Sequence, residues 1–352
     1  MHISTAILLG TLCSSLSCGA QEPFFVRAEN SNGPEVLNLY STADYSIVEP
    51  VLQAYVDLNP GIEIAYYDLQ SQDLFERVFE ESQTADLVWS SAMDLQMKLV
   101  NDGFAQRVEI PSRNQLPNWA VWRDEAFAIS VEPAVMVYNR ELINETDVPV
   151  TRGELLDWLQ NTDQGFGSIG TYDIERSGLG TLLVAHDAAQ SSDFWDLMVA
   201  MGQNQVSLFS SSSALIERVV DGRLSLAYNV VGSYAAARAQ NEPQLGVILP
   251  IDYTLLVSRI AFVPAAATNA RLGKELLSFL LSEQGQTILN YEVGFPATHN
   301  KVSWTQALFP DAASERLALD PLPVDTSLLV YLDRARRDNL IRQWREALNG
   351  AL

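Results

Sequence analysis

The chain has 352 residues, a length that at ~150 residues per domain gives about two domains with room for substantial cores. Hydrophobic residues make up 47% and charged residues 19%, an ordinary globular balance that excludes a disordered or fibrous chain. With 22 Lys and Arg against 44 Asp and Glu, the net charge of −22 repels phosphate backbones and anionic headgroups and argues against a nucleic-acid or membrane-surface role.

Residues 1–20 contain no Asp, Glu, Lys or Arg. Ile7, Leu8, Leu9 and Leu12 form a short apolar region, and Cys18-Gly19-Ala20 puts small residues where a signal peptidase reads. The segment reads as a secretory signal peptide cut before Gln21, with His2 and the terminal amine in place of the usual Lys or Arg. Ser15-Leu16-Ser17-Cys18 offers an alternative, a lipoprotein anchored through Cys18, although it lacks Leu at the first lipobox position. Cys13 and Cys18 are the 2 cysteines, so a chain starting at Gln21 has no disulfide framework and no thiolate metal site. No later stretch approaches the ~20 uncharged apolar residues of a membrane helix.

Beyond a polar arm at residues 29–34, Val36-Leu37-Asn38-Leu39-Tyr40 reads as a strand with Ser41-Thr42-Ala43-Asp44 as its turn. Val48, Val51, Leu52 and Tyr55 recur at helical spacing, and Asn59-Pro60-Gly61 stops that helix. A second strand over 62–66, a helix near 74–79, a strand over 86–89, the turn Ser90-Ser91 and a helix over 95–100 continue the cycle. The middle third restarts it: a strand over 166–170, a loop at 175–180, an apolar helix from Thr181, a helix after Ser210-Ser211-Ser212-Ser213 that closes at Asp221-Gly222, and a strand over 224–228. A strand over 260–264 leads to a helix carrying Leu276, Leu277, Phe279 and Leu280, and the region from Ala312 is helical and charged. Alternating strands and helices indicate α/β layers around largely parallel sheets.

Several segments together resemble a type II periplasmic solute-binding protein of a bacterial ABC transporter, in the branch that includes ferric-iron and organophosphate or sugar-phosphate binders. They are Leu37-Asn38-Leu39-Tyr40-Ser41-Thr42, Ala85-Asp86-Leu87-Val88-Trp89-Ser90-Ser91, Val137-Tyr138-Asn139-Arg140, Ser177-Gly178-Leu179-Gly180-Thr181, Leu281-Ser282-Glu283-Gln284-Gly285-Gln286 and Val293-Gly294-Phe295-Pro296. The resemblance implies a two-lobed fold with a ligand cleft between lobes, each lobe a mixed, mostly parallel sheet flanked by helices. It also implies a solute handed to an inner-membrane permease. The expected division is lobe 1 at 35–134 plus 255–315, lobe 2 at 135–254, hinge segments near 133–138 and 252–260, and a helical region at 316–352 packed on the lobes. A periplasmic monomer follows, with a sensor kinase as the alternative partner to the permease.

In α/β sheets ligands bind beyond the carboxyl ends of strands, where helix N-termini offer unpaired N–H groups. Ser41, Thr42, Ser90, Ser91, Arg176, Ser177, Gly178, Ser211 and Ser212 fall at such turns and suit an anion. Each hydroxyl could instead cap a helix, a role worth about 1 kcal/mol; the resemblance favours ligand contact for Ser41, Thr42, Ser90 and Ser177. Arg176 could grip a carboxylate or phosphate or simply face solvent. Tyr228 and Asn229 end a strand, where an aromatic wall and an amide could meet ligand, whereas Tyr234 reads as packed on its helix. Asp44 and Arg259 are further candidates, Arg259 with a salt bridge as the competing role. His186 shares a helical stripe with Leu179, Leu182 and Leu183, so packing competes with ligand contact there too.

Ferric binders of this branch carry two adjacent tyrosines after the strand that ends here at Tyr228, because hard phenolates suit ferric iron. This sequence reads Asn229-Val230-Val231-Gly232-Ser233-Tyr234 there. With that pair missing and only His186 and His299 beyond the signal segment, no resident metal and no cofactor are expected. No Gly-x-Ser-x-Gly, His-Glu-x-x-His or phosphate-loop motif supports the competing reading of an exported hydrolase. The expected solute is a small organic anion, a phosphorylated metabolite ahead of a di- or tricarboxylate.

Overall fold

The computed structural model describes residues 22–31, 34–80, 85–161, 166–305, 309 and 317–350. The expected signal segment with Cys13 and Cys18, and Ala312, lie outside the described residues.

The first half of the fold runs β1 (Phe24–Arg27), β2 (Glu35–Ser41), α1 (Tyr45–Leu58), β3 (Ile62–Asp68), α2 (Ser71–Phe79), β4 (Leu87–Ser90) and α3 (Met93–Asn101). The apolar stripe of α1 is buried as its spacing dictates, at Val48, Val51, Leu52 and Tyr55. Strands β2, β3 and β4 are parallel, with Leu39 level with both Tyr66 and Leu87. Their C-terminal ends therefore lie along one edge, which is where ligands collect in such sheets. Strand β1 adds an antiparallel edge on β3.

After the short β5 (Val121–Trp122), β6 (Ala126–Asn139) is buried along its whole length. Its near-continuous apolar run is the pattern of a strand covered on both faces. The second half follows as α4 (Arg152–Asn161), β7 (Ile169–Tyr172), α5 (Gly178–Gln190), α6 (Phe194–Gln203), β8 (Ser207–Phe209), α7 (Ser212–Val220), β9 (Leu226–Val231), α8 (Gly232–Ala239) and β10 (Leu245–Ile248). The chain then returns through β11 (Thr254–Phe262), α9 (Ala270–Leu280), α10 (Glu283–Ile288), a π-helical turn at Leu289–Val293, β12 (Leu319–Pro321), a 3-10 segment at Thr326–Leu332 and α11 (Arg334–Leu348).

One mixed sheet runs through both lobes in the order β1-β3-β2-β4-β11-β6-β9-β7-β8. The first half of β6 pairs with β11, as far as Pro133 opposite Leu256, and from Ala134 opposite Val231 the strand pairs with β9. Strand β6 thus leaves lobe 1 and enters lobe 2 without a break, and β11 brings the chain back.

The C-terminal region contains a strand as well as helix, and its side chains enter both lobes. Leu322, Val324 and Leu328 join the core that holds Leu37, Leu39 and Leu87, while Trp344 and Ala347 join the lobe 2 core of Met136, Ile169 and Leu226. Helix α11 lies so close to α6 that a Cβ on Gly202 would run into the backbone carbonyl of Leu348. Gly202→Ala should therefore push α11 off its seat and cost about 1–3 kcal/mol, the range for overpacking, read in thermal unfolding. An unchanged midpoint would mean that α11 is not held there.

Candidate ligand-binding site

Because β2 and β4 are parallel neighbours, the turns after them meet. Thr42 Oγ1 donates to Ser90 Oγ at 3.1 Å, and the Ser91 N–H donates back to Thr42 Oγ1 at 3.3 Å. Ser90 Oγ also accepts the Ala92 N–H at 3.1 Å, just ahead of the α3 N-terminus. Ser41 Oγ accepts the Ala43 N–H at 2.9 Å, and Tyr66 reaches over from β3 to donate to Ala43 O at 2.5 Å. Ser41 and Ser90 are fully buried, Thr42 and Ser91 half-buried, and Asp44 is exposed and forms no cap bond.

On the lobe 2 side the parallel strands β8, β7 and β9 end at Phe209, Tyr172 and Val231. Ser177 caps α5 by accepting the Gly180 N–H at 3.0 Å, and Ser211 caps α7 by accepting the Ala214 N–H at 3.3 Å. Ser212 Oγ bonds the Tyr172 hydroxyl at 2.5 Å and accepts the Val231 N–H at 3.0 Å. Ser177 and Ser211 thus take the capping role the sequence also allowed. Gly178 and Arg176 are exposed, and no carboxylate of the described residues lies within ion-pair distance of Arg176.

Between the two sets lies a buried ion pair. Arg259 on β11 sits opposite Ser130 on β6, and Glu132, two residues along, points to the same face. Arg259 Nε approaches Glu132 Oε1 to 2.8 Å without the alignment of a hydrogen bond, and both side chains are at most 3% exposed. Ser233 Oγ donates to the other Glu132 oxygen at 2.5 Å, and the guanidinium stands 4.2 Å over the Phe295 ring. Burial opposes the charge on Arg259, but Glu132, with Tyr234 and Tyr66, overcomes it and raises its pKa. Tyr66 from lobe 1 and Tyr234 from α8 therefore both converge on this pair. Arg259 takes the salt-bridge role, with an acid on the outgoing crossover. Sequence reasoning missed Glu132, yet a signal was present: it is the single charge in β6, and a buried acid demands a partner.

The Tyr228 and Asn229 side chains, expected at a strand end, are buried. The strand continues to Val231, three residues past the expected end, and a bulge sets Tyr228 and Asn229 opposite Met136 alone. Asn229 takes a left-handed φ of 62° there, so two consecutive side chains reach the same carboxylate. Asp187 Oδ2 accepts from the Tyr228 hydroxyl and from Asn229 Nδ2, each at 2.7 Å, and Oδ1 accepts from the Tyr253 hydroxyl at 2.6 Å. Arg152 closes the network, donating to the Tyr228 oxygen at 2.7 Å and to Asp252 at 3.1 Å, with Nη2 3.3 Å from Asp187. Burial pushes the Tyr228 hydroxyl well above its usual range and keeps it a neutral donor. His186 turns to β12, its Nε2 2.9 Å from Asp320.

Over residues 82–312 the sequence matches the family described as bacterial extracellular solute-binding protein. The chain belongs to this family. Binding proteins of this kind work outside the cytoplasm and partner with ABC permeases. The solute-binding protein is similar to a crystallised substrate-binding protein of the ABC transporter from Agrobacterium tumefaciens, with 40% identity and a TM-score of 0.82 over 92% of this chain and 98% of that one. It shares the fold, at 16% identity in each case, of iron-bound HitA from Pseudomonas aeruginosa (TM-score 0.70, 89% of this chain and 99% of that one) and of AfuA from Actinobacillus pleuropneumoniae with exogenous fructose-6-phosphate bound (TM-score 0.69, 89% and 98%). No curated protein sequence matches the chain.

Within this solute-binding protein α5 links the turn at Ser177 to β12 and to the start of the returning strand β11. Ser177 caps its first turn, and about 15 Å further along the axis Asp187 holds Tyr253 ahead of β11. On the neighbouring face His186 and Gln190 hold Asp320 of β12. Among the described residues no group of three or more His, Cys, Asp or Glu comes together to hold a metal.

Proposed function

We propose that this solute-binding protein, exported to the periplasm as a soluble mature chain, captures a small organic anion between its lobes and delivers it to an ABC permease. It acts as a carrier rather than a catalyst. The favoured ligand is a phosphorylated metabolite, ahead of a di- or tricarboxylate, met by Ser41, Thr42, Ser90 and Ser91 from one lobe and Arg176, Ser177 and Gly178 from the other.

The observation that carries this reading is the α5 N-terminus. Its first residue is exposed, a cap fixes its orientation, and a cationic side chain without a carboxylate partner stands two residues before it. N–H groups at a helix start favour negative charge, and a guanidinium can grip a carboxylate or phosphate with two parallel bonds. The Arg259–Glu132 pair is internally balanced, so it leaves the anion's charge to be met at the strand ends. A net charge of −22 does not oppose this, since salt screens exposed charges beyond ~8 Å while donors in a cleft act at contact. The bound fructose-6-phosphate named for the AfuA structure is consistent with such chemistry.

A ferric ligand is the second reading, favoured by the tyrosines gathered near Arg259. Burial raises the pKa of Tyr66, one of that group, which makes its phenolate costly to form and weakens that reading.

Arg176→Ala tests the proposal. Losing a hydrogen bond to a charged group costs roughly 1.5–3 kcal/mol, or about 10- to 150-fold in Kd by calorimetry, for a sugar phosphate. The melting temperature of the unliganded protein should not change, because Arg176 is exposed. Unaltered affinity would remove Arg176 from the site.

A further inference from the structure

We propose that a cavity between α5, the 3-10 segment Thr326–Leu332 and α11 is a second anion site, separate from the cleft, for a small ligand bearing a carboxylate or phosphate group. The cavity measures about 210 Å³ and has an apolar side formed by Ala185, Val330 and Leu340. Arg336, Arg337 and Gln343 of α11 also line it. That is room enough for a phosphate or a four-carbon dicarboxylate with water beside it.

The charge pattern of α11 singles out the two wall residues. Arg334 pairs with Asp338 at 3.8 Å, Arg342 with Glu346 at 2.9 Å, and Arg345 with Glu175 of lobe 2. Arg336 and Arg337 have no carboxylate of the described residues within ion-pair distance, although the chain carries 44 acidic residues. Asp94 at the start of α3 feels the field of Arg337 but forms no ion pair with it. Two guanidiniums without an ion-pair partner among the described residues line one half-enclosed cavity, and an oxyanion bound there supplies acceptors for both. The apolar side accommodates a short hydrocarbon body.

The position gives such a ligand a consequence. The 3-10 segment enters the lobe 1 core through Leu328 and α11 enters the lobe 2 core through Trp344, so an anion here fastens the C-terminal region to α5. The proposal does not depend on the identity of the cleft ligand.

Equilibrium dialysis of the mature protein against radiolabelled inorganic phosphate, and separately against succinate, tests it at millimolar concentrations. The wild type should bind at least one of the two probes at a class of site that Arg336→Gln/Arg337→Gln weakens tenfold or more and that Arg176→Ala leaves alone. The arm that binds identifies the oxyanion. Both substitutions in the double variant replace exposed side chains, and its circular dichroism melt should match the wild type. No binding of either probe to wild type, or isotherms unchanged in the double variant, would overturn the proposal.

Discussion

Asp187→Ala should destabilise the protein by roughly 3–5 kcal/mol, the cost of leaving a buried charge without its partner. Asp187 is fully buried and its two oxygens accept from Tyr228, Asn229 and Tyr253 while facing Arg152, which is 5% exposed. Burial opposes the Arg152 charge, and Tyr228, Asp187, Tyr253 and Asp252 together overcome it, holding its pKa above the ordinary value. With Asp187 gone, Asp252 is the one carboxylate left to Arg152 among the described residues, and the Tyr228, Asn229 and Tyr253 donors lose their acceptor. Asp187→Asn, which keeps the shape and removes the charge, should fall between the two. Denaturant unfolding reads both, and an Asp187→Ala midpoint within experimental error of the wild type would show the network to be slack. Because Tyr253 leads into β11, the same variant should also broaden the distribution of lobe orientations in solution scattering.

The second large effect is expected at Glu132. Glu132→Ala leaves Arg259 buried between the lobes with Ser130, Tyr66, Tyr234 and the Phe295 ring around it, and among the described residues no other carboxylate is paired with it. The expected loss is again about 3–5 kcal/mol. A double replacement with packed apolar groups, Glu132→Leu with Arg259→Met, should recover most of it, because the desolvation cost of both charges disappears along with their attraction. A double variant as unstable as the single one would show that the pair is held by its hydrogen-bonded neighbours, Ser233 included, rather than by charge alone.

The alternation of strands and helices was legible because helix and strand periods differ, and the apolar spacing in α1 and α9 marks their buried faces. The hydroxyl-bearing turns at Ser41, Ser90, Ser177 and Ser211 were legible for the same local reason: short polar side chains satisfy the free N–H groups where a strand gives way to a helix. Two kinds of feature were not legible. The end of β9 was misplaced because Asn229, a residue common in turns, here occupies a bulge inside the strand, and that shift carried Tyr228 and Asn229 from an expected rim into the interior. Long-range pairs were hidden because topology, not local sequence, chooses the partner. Glu132 meets Arg259 only once β6 and β11 lie side by side, and His186 meets Asp320 across 134 residues.

The central claim, that the cleft takes a small organic anion, is tested most directly by calorimetric titration of the dialysed mature protein with sugar phosphates, di- and tricarboxylates, neutral sugars and ferric ion, each alone. A sugar phosphate should bind with one-to-one stoichiometry, and at a hundredfold excess over Kd it should stabilise the fold by about 2.7 kcal/mol, with ferric ion and neutral sugars silent. Binding of ferric ion alone, or of neutral sugars alone, would contradict it.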